Sequence, residues 1–295
     1  MSYLQAIVIG LLQGVTELFP ISSLGHSVLL PAWLGWDHIV NAQSASESFY
    51  LAFLVALHVA TAIALLIYFR DEWRRIITGF FHTLRVRRIE TPDERLAWLL
   101  IIATIPAGLT GLALEHALRT LFAKPLAAAV FLTINGLVLL GGEALRRRPR
   151  VRALAAQQPQ TTSSPEPGRR LDTLAYGESL VVGVAQVGAL FAGISRSGIT
   201  MVAGLARGLD HEDAARFSFL LATPIILAAG IYKLPDLLGH NGDHVRGQAI
   251  VGSLVAGVAA YFAVRFLVRF FETRNLMPFA IYCLVVGGLS ILRFA

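Results

Sequence analysis

The chain is 295 residues long, 55% hydrophobic and only 15% charged, with a mean hydropathy of +0.63. A soluble domain would carry roughly a quarter charged residues, so the composition excludes one and marks a polytopic membrane protein. The net charge of +6 fits arginine-rich cytoplasmic loops and excludes nucleic acid as the first explanation, and the single cysteine, Cys283, excludes a disulfide within one chain.

The first apolar region, 3–35, is broken midway by "PISSLGH" at 20–26 and reads as a re-entrant hairpin. Its start lacks the basic stretch of a cleavable signal, so it is expected to remain part of the fold. Full crossings follow at about 50–69, 96–114 and 126–145, each apolar for about the 20 residues that span a bilayer. The stretch 146–172, rich in Pro, Gln, Ser, Thr and Arg, reads as a flexible cytoplasmic linker. A second broken region, 175–206, precedes crossings at about 217–234, 247–268 and 277–294. The expected fold is an all-α polytopic membrane protein of about six transmembrane helices plus re-entrant helical hairpins. Its two membrane halves are 1–145 and 173–295.

Loop charge sets the orientation. The loops at 70–95 and 146–172, together with Arg207, Arg216, Arg269 and Arg274, hold 18 basic residues, whereas the opposite loops hold 3: Arg119, Lys124 and Arg246. The arginine-rich side is therefore expected in the cytoplasm and both termini outside.

Sliding the chain along itself by 173 positions aligns the two broken regions without a gap. Val8 meets Val181, Gly10 meets Gly183, Gln13 meets Gln186, Ile21 meets Ile194, Ser22 meets Ser195 and Gly25 meets Gly198, while Ser27 faces Thr200. The first hairpin opens outward and the second to the cytoplasm, which makes an inverted-topology repeat. In such folds broken helices place their ends near the midplane, where a site is built.

Gln13 and Glu17 lie four apart, on one helix face, and Pro20 should end that helix. Ser22, Ser23 and Gly25 then open a half-helix whose free N–H groups suit an anion. "AGISRSGIT", 192–200, repeats the device: Gly193 and Gly198 admit a close ligand, Ser195, Ser197 and Thr200 supply hydroxyls, and Arg196 offers a planar fork for phosphate. An intramembrane arginine costs about 2.5–3.5 kcal/mol, so Arg196 has a role. A structural ion bridge to Glu17 is the competing reading. His26, beside Glu17 and two serines, reads as a proton carrier or nucleophile. His58 reads as a hydrogen-bonding group of the bundle, Glu143 as a carboxylate snorkelling to the cytoplasm, and His240 and His244 as flanks of a turn rather than a metal site.

These residues carry a resemblance. Gln13–Glu17 running into Pro20–His26, followed by Ala192–Thr200, resembles the paired motifs of the undecaprenyl-diphosphate phosphatase family, associated with bacitracin resistance. The stretches "LHVATAIALLIYFRDEW" and "ARFSFLLATPIILAAG" also look like family segments, and the resemblance covers nearly the whole chain outside the linker. Two departures stand out: Gln13 occupies a place that many members fill with Glu, and Ala192 replaces the proline usual before Gly-x-Ser-Arg.

The resemblance implies hydrolysis of undecaprenyl diphosphate to the monophosphate and phosphate, recycling the lipid carrier of wall synthesis in the bacterial cytoplasmic membrane. It implies Glu17, Ser23, His26 and Arg196 as catalytic groups, with Ser23, His26 or water attacking. Gln13, Ser22, Gly25, Gly193, Ser195, Ser197, Gly198 and Thr200 are expected to bind substrate. A divalent cation, Mg²⁺ or Ca²⁺, is expected on Glu17, with Gln13 as second donor. The expected partners are a polyprenyl diphosphate and the membrane, with a homodimer left open. A transporter or flippase of an anionic lipid would need the same pocket and stays as the alternative. The other membrane phosphatase class, the PAP2 family, is set aside because Val202 stands where its histidine would follow the arginine.

Overall fold

The computed structural model describes residues 1–36, 38–39, 49–122, 124–156, 169–238 and 245–295, with side chains described outside 115–122, 147–156 and 234–238. The elements are α1 (Tyr3–Thr16), α2 (Ser23–Trp33), α3 (Phe49–Tyr68), α4 (Arg70–Val86), α5 (Pro92–Phe122), α6 (Pro125–Ala156), α7 (Tyr176–Val187), α8 (Arg196–Ala206), α9 (His211–Leu238), α10 (Arg246–Thr273) and α11 (Met277–Phe294). Among the described residues six helices, α3, α5, α6, α9, α10 and α11, are long and apolar enough to cross a bilayer. The short pairs α1–α2 and α7–α8 are the two broken hairpins.

The halves interlock. α1 packs on α10 and α7 on α5, while α3 lies against α9 and α6 against α11, so the principal packing runs between halves. Small residues permit it. A Cβ on Gly10 would fall 2.4 Å from the Gly252 carbonyl oxygen, one on Gly14 would fall 2.3 Å from that of Ala256, and one on Gly183 would fall 2.5 Å from that of Ala103. In lipid, where apolar burial gives helices little reason to pair, such close backbone approach supplies the dispersion contacts.

Four local readings are corrected. Residues 70–86, read as loop, form α4, because apolar residues at helical spacing bury one side against α5: Ile76 and Thr83 are buried, and Trp98 Nε1 donates to Thr83 Oγ1 at 3.1 Å. The linker starts later than 146, since α6 runs on to Ala156, and Arg216 belongs to α9 rather than a loop. Glu143 does not snorkel. It is buried, accepts from the Leu276 N–H at 2.9 Å and pairs with His211 at 2.5 Å, tying α6 to the starts of α9 and α11. His240 and His244 lie outside the described residues.

Candidate active site

The two breaks meet back to back. α1 ends at Thr16 and α2 begins at Ser23, with Ser22 as N-cap accepting from the Gly25 N–H at 3.2 Å; α8 begins at Arg196, with Ser195 as N-cap accepting from the Gly198 N–H at 3.1 Å. Ser22 and Ser195 are repeat counterparts, and so are the first helical residues, Ser23 and Arg196. The repeat therefore sets a hydroxyl and a guanidinium at equivalent places.

Tight contacts hold the junction. Ser22 has a φ of 70°, a left-handed conformation that costs a serine about 1–3 kcal/mol. That turn lets its Oγ also accept from the Gly193 N–H at 3.1 Å, across the two halves. Gly193 itself has a φ of +113°, and a Cβ there would sit 2.5 Å from the Ala128 carbonyl oxygen; one on Gly25 would sit 2.8 Å from Gly193 Cα. Asn135 of α6, wholly buried, completes the clasp: its Nδ2 donates to the Pro20 carbonyl at 3.0 Å, and its Oδ1 accepts from the Ser195 N–H at 2.9 Å. One amide thus satisfies a backbone group in each break.

Glu17 is the hub. Ser23 Oγ donates to its Oε2 at 2.5 Å, Gln13 Nε2 donates to the same oxygen at 3.2 Å, and His58 Nε2 lies 3.3 Å from it. Arg196 Nε and Nη2 each lie 3.4 Å from Oε1, and Nη1 donates to the Ser218 carbonyl at 3.0 Å. Both ring nitrogens of His58 face acceptors, since Nδ1 is 2.7 Å from the Leu54 carbonyl; a doubly protonated ring satisfies both. The Glu17 carboxylate is thus flanked by the Arg196 guanidinium and the His58 imidazole. The Glu17–Arg196 ion bridge considered from sequence is present, but at 3.4 Å it is long for a charge-assisted pair.

The remaining sequence candidates separate by location. His26 is turned away from Glu17: its Nδ1 is 2.7 Å from the Ser22 carbonyl, and its Nε2 is 2.8 Å from the Tyr282 hydroxyl. Ser195, Ser197 and Thr200 are buried and bonded within the protein. Ser197 Oγ donates to the Phe19 carbonyl at 3.2 Å and lies 3.0 Å from Ser195 Oγ, while Thr200 Oγ1 lies 2.7 Å from both the Arg196 carbonyl and Ser218 Oγ. Gly198 lies against Pro20, its missing Cβ 3.3 Å from the proline ring. Sequence reasoning left out Asn135 and ranked His58 low. A titratable side chain in the middle of a spanning helix is itself a functional signal, and that signal would have raised His58.

Oxygen donors for a hard cation are few. Among the described residues no three His, Cys, Asp or Glu side chains group as a metal cage. Gln13 Oε1, however, is buried without a partner beside Glu17. Glu17 and that orphaned amide oxygen suit Mg²⁺ or Ca²⁺, which readily take their other ligands from water and substrate phosphate.

Two interlocked halves, each with a half-helix end at a junction that buries Glu17 and Arg196, define a polytopic α-helical membrane protein with a charged junction between its halves. Comparison with known proteins refines the class. The family model described as "Bacitracin resistance protein BacA" matches residues 6–289, and the chain belongs to that family. It is 59% identical to the "Undecaprenyl-diphosphatase 2" of Frankia alni, covering 100% of this chain and 98% of the relative. It is 55% identical to the "Undecaprenyl-diphosphatase" of Mycolicibacterium paratuberculosis, with the same coverage. It is 44% identical to the "Undecaprenyl-diphosphatase 2" of Chromobacterium violaceum, with 99% of each covered.

Proposed function

We infer that the chain is an undecaprenyl-diphosphate phosphatase, releasing inorganic phosphate and undecaprenyl phosphate, and we propose Ser23 as its nucleophile. One observation carries the second part: Ser23 Oγ donates at 2.5 Å to a carboxylate whose other oxygen faces Arg196. That is a nucleophile on its base, beside a cation for the developing charge.

The terminal phosphate enters between the starts of α2 and α8, and Arg196 exchanges Glu17 for phosphate oxygens. Ser23 Oγ attacks the terminal phosphorus, its proton passes to Glu17, and the bridging P–O bond breaks. Undecaprenyl phosphate leaves and takes the proton from Glu17. Water then attacks the phosphoserine: Glu17 takes the water's proton and returns it to Ser23 Oγ as the Ser23 O–P bond breaks and phosphate leaves. His58 and Gln13 hold the Glu17 carboxylate in place, and Asn135, Ser22, Ser195, Ser197 and Thr200 fix the two breaks. His26, bonded to Ser22 and Tyr282, orients the start of α2. A divalent cation held by Glu17 and Gln13 Oε1 would neutralise diphosphate charge.

The groove of about 590 Å³ between α1 and α10, lined by Val15, Phe19, Val258 and Phe262, supports a prenyl tail along the lipid face, because Phe19 also receives the Ser197 hydrogen bond. Each buried CH₂ is worth about 0.8 kcal/mol. The larger groove of about 760 Å³, lined by Ala56, Ala60 and Ile63, lies on the face of α3 opposite His58 and takes no part. Loop arginines favour the bacterial cytoplasmic membrane with both termini outside. The half-helix architecture is shared with transporters, but nothing here favours transport.

Trapping the intermediate tests the nucleophile. Acid quench of the working enzyme followed by peptide mass spectrometry should place phosphate on Ser23, and Ser23→Ala should abolish it. Direct transfer of labelled water oxygen to phosphate with inversion at phosphorus would overturn covalent catalysis.

A further inference from the structure

α4 has three faces rather than two. One face, with Glu72, Ile76 and Thr83, is buried against the bundle. A second presents Ile77, Phe81 and Leu84, which are 48%, 62% and 51% exposed. At 3.6 residues per turn these three fall within roughly a 60° arc. The third carries Arg74 and Arg85, with Arg87 and Arg88 just beyond the helix end. All four are exposed, and none has an acidic partner among the described residues. Arg75 and His82, by contrast, pair with Asp93 and Glu94 at the start of α5.

Its position is equally specific. Only Phe69 separates α4 from the end of the spanning helix α3, and α4 packs on the first turns of α5: a Cβ on Gly79 would meet Glu94, and the Phe80 and Trp98 ring centroids are 5.4 Å apart. The apolar stripe therefore sits beside the end of one spanning helix and the start of the next, both of which also expose apolar side chains such as Ile63, Ile67, Ile101 and Ile105. An apolar flank beside a cationic row is the pattern of a helix lying in a membrane surface.

We propose that α4 is an in-plane surface helix that docks on anionic phospholipid headgroups of the leaflet on the arginine-rich side. Ile77, Phe81 and Leu84 enter the acyl boundary, and Arg74, Arg85, Arg87 and Arg88 engage headgroup phosphates. Charge complementarity and the place beside two spanning helices select a lipid surface over a protein. The proposal stands apart from the hydrolysis reading and needs only the membrane assignment.

The full-length protein is reconstituted into nanodiscs of phosphatidylcholine alone or with 30% phosphatidylglycerol. An environment-sensitive fluorophore is attached at Phe81→Cys, with Leu84→Cys as a second reporter; Cys283 is buried and should not label. In anionic discs the probe should be quenched by lipid-borne quenchers and protected from aqueous iodide at least threefold better than in phosphatidylcholine. Salt, or the combined R74Q/R85Q/R87Q/R88Q change, should erase that difference. Equal protection in both discs, or a lipid difference that survives the four substitutions, overturns anionic docking. Protection that appears only when two copies share a disc assigns the face to a second copy instead and likewise overturns it.

Discussion

Asn135 is the sharpest lever on the junction. Replacing it with leucine keeps the volume but removes the amide that serves both breaks, leaving the Ser195 N–H buried without that acceptor and the Pro20 carbonyl with only the weak thiol contact of Cys283 Sγ at 3.9 Å. An unpaired buried group costs about 1–3 kcal/mol, so the loss at Ser195 alone is of that size and the weakened Pro20 carbonyl adds to it. The penalty falls where Ser23 and Arg196 begin their helices, and a shift of about 1 Å between catalytic groups costs on the order of 100-fold in rate. Asn135→Leu should therefore lower kcat by about 100-fold and change KM for the C55 diphosphate little, because the tail surface is untouched. Asn135→Asp, which keeps the acceptor for Ser195, should lose less. Phosphate release from purified protein, with thermal unfolding run in parallel, reads both numbers. A well-folded Asn135→Leu enzyme with wild-type kcat would refute the reasoning.

Gly193→Ala should be the most damaging glycine change, combining a φ of +113° with a Cβ 2.5 Å from a carbonyl oxygen; Tm should fall, and a folded, active variant would show that the junction can give way. Arg196→Lys keeps the charge but loses the fork, so kcat should fall roughly 10- to 100-fold, and Arg196→Ala roughly 100- to 1,000-fold. His58→Phe removes a partner of Glu17; kcat should fall on the order of 10-fold with a displaced pH–rate profile, and an unmoved profile would separate His58 from the chemistry. EDTA should lower phosphate release and added Mg²⁺ or Ca²⁺ restore it, more weakly once Gln13→Leu removes the orphaned oxygen.

The parts of this fold that obey simple rules could be read in advance. Span lengths follow bilayer thickness, so all six crossings were located, although α5, α6 and α9 run up to 11 residues beyond the expected ends because a helix need not stop at the bilayer edge; the 173-residue offset revealed two hairpins because small and hydroxyl residues cannot sit in lipid without a reason. α4 escaped because its charge suggested a loop, while the helical spacing of its apolar residues had no visible partner until α5 supplied one. Within the site, Glu17 and Arg196 were legible as buried charges. Their joining of His58, some 40 residues beyond Glu17, depends on how α3 passes the first break, and no spacing encodes that. The serines of 195–200 looked like ligand groups by composition; packing binds their hydroxyls to backbone carbonyls and to one another. Asn135 carried no motif at all, and only the meeting of Pro20 with Ser195 gives it a task.

Single-turnover phosphate release from undecaprenyl diphosphate, comparing the wild-type chain with folded Glu17→Gln and Ser23→Ala, bears most directly on whether the two breaks form one hydrolytic site. Both variants should fall by at least about 1,000-fold, as expected when nucleophile and base act as a unit. Release at the wild-type rate from either variant would contradict the assignment of the chemistry to this junction.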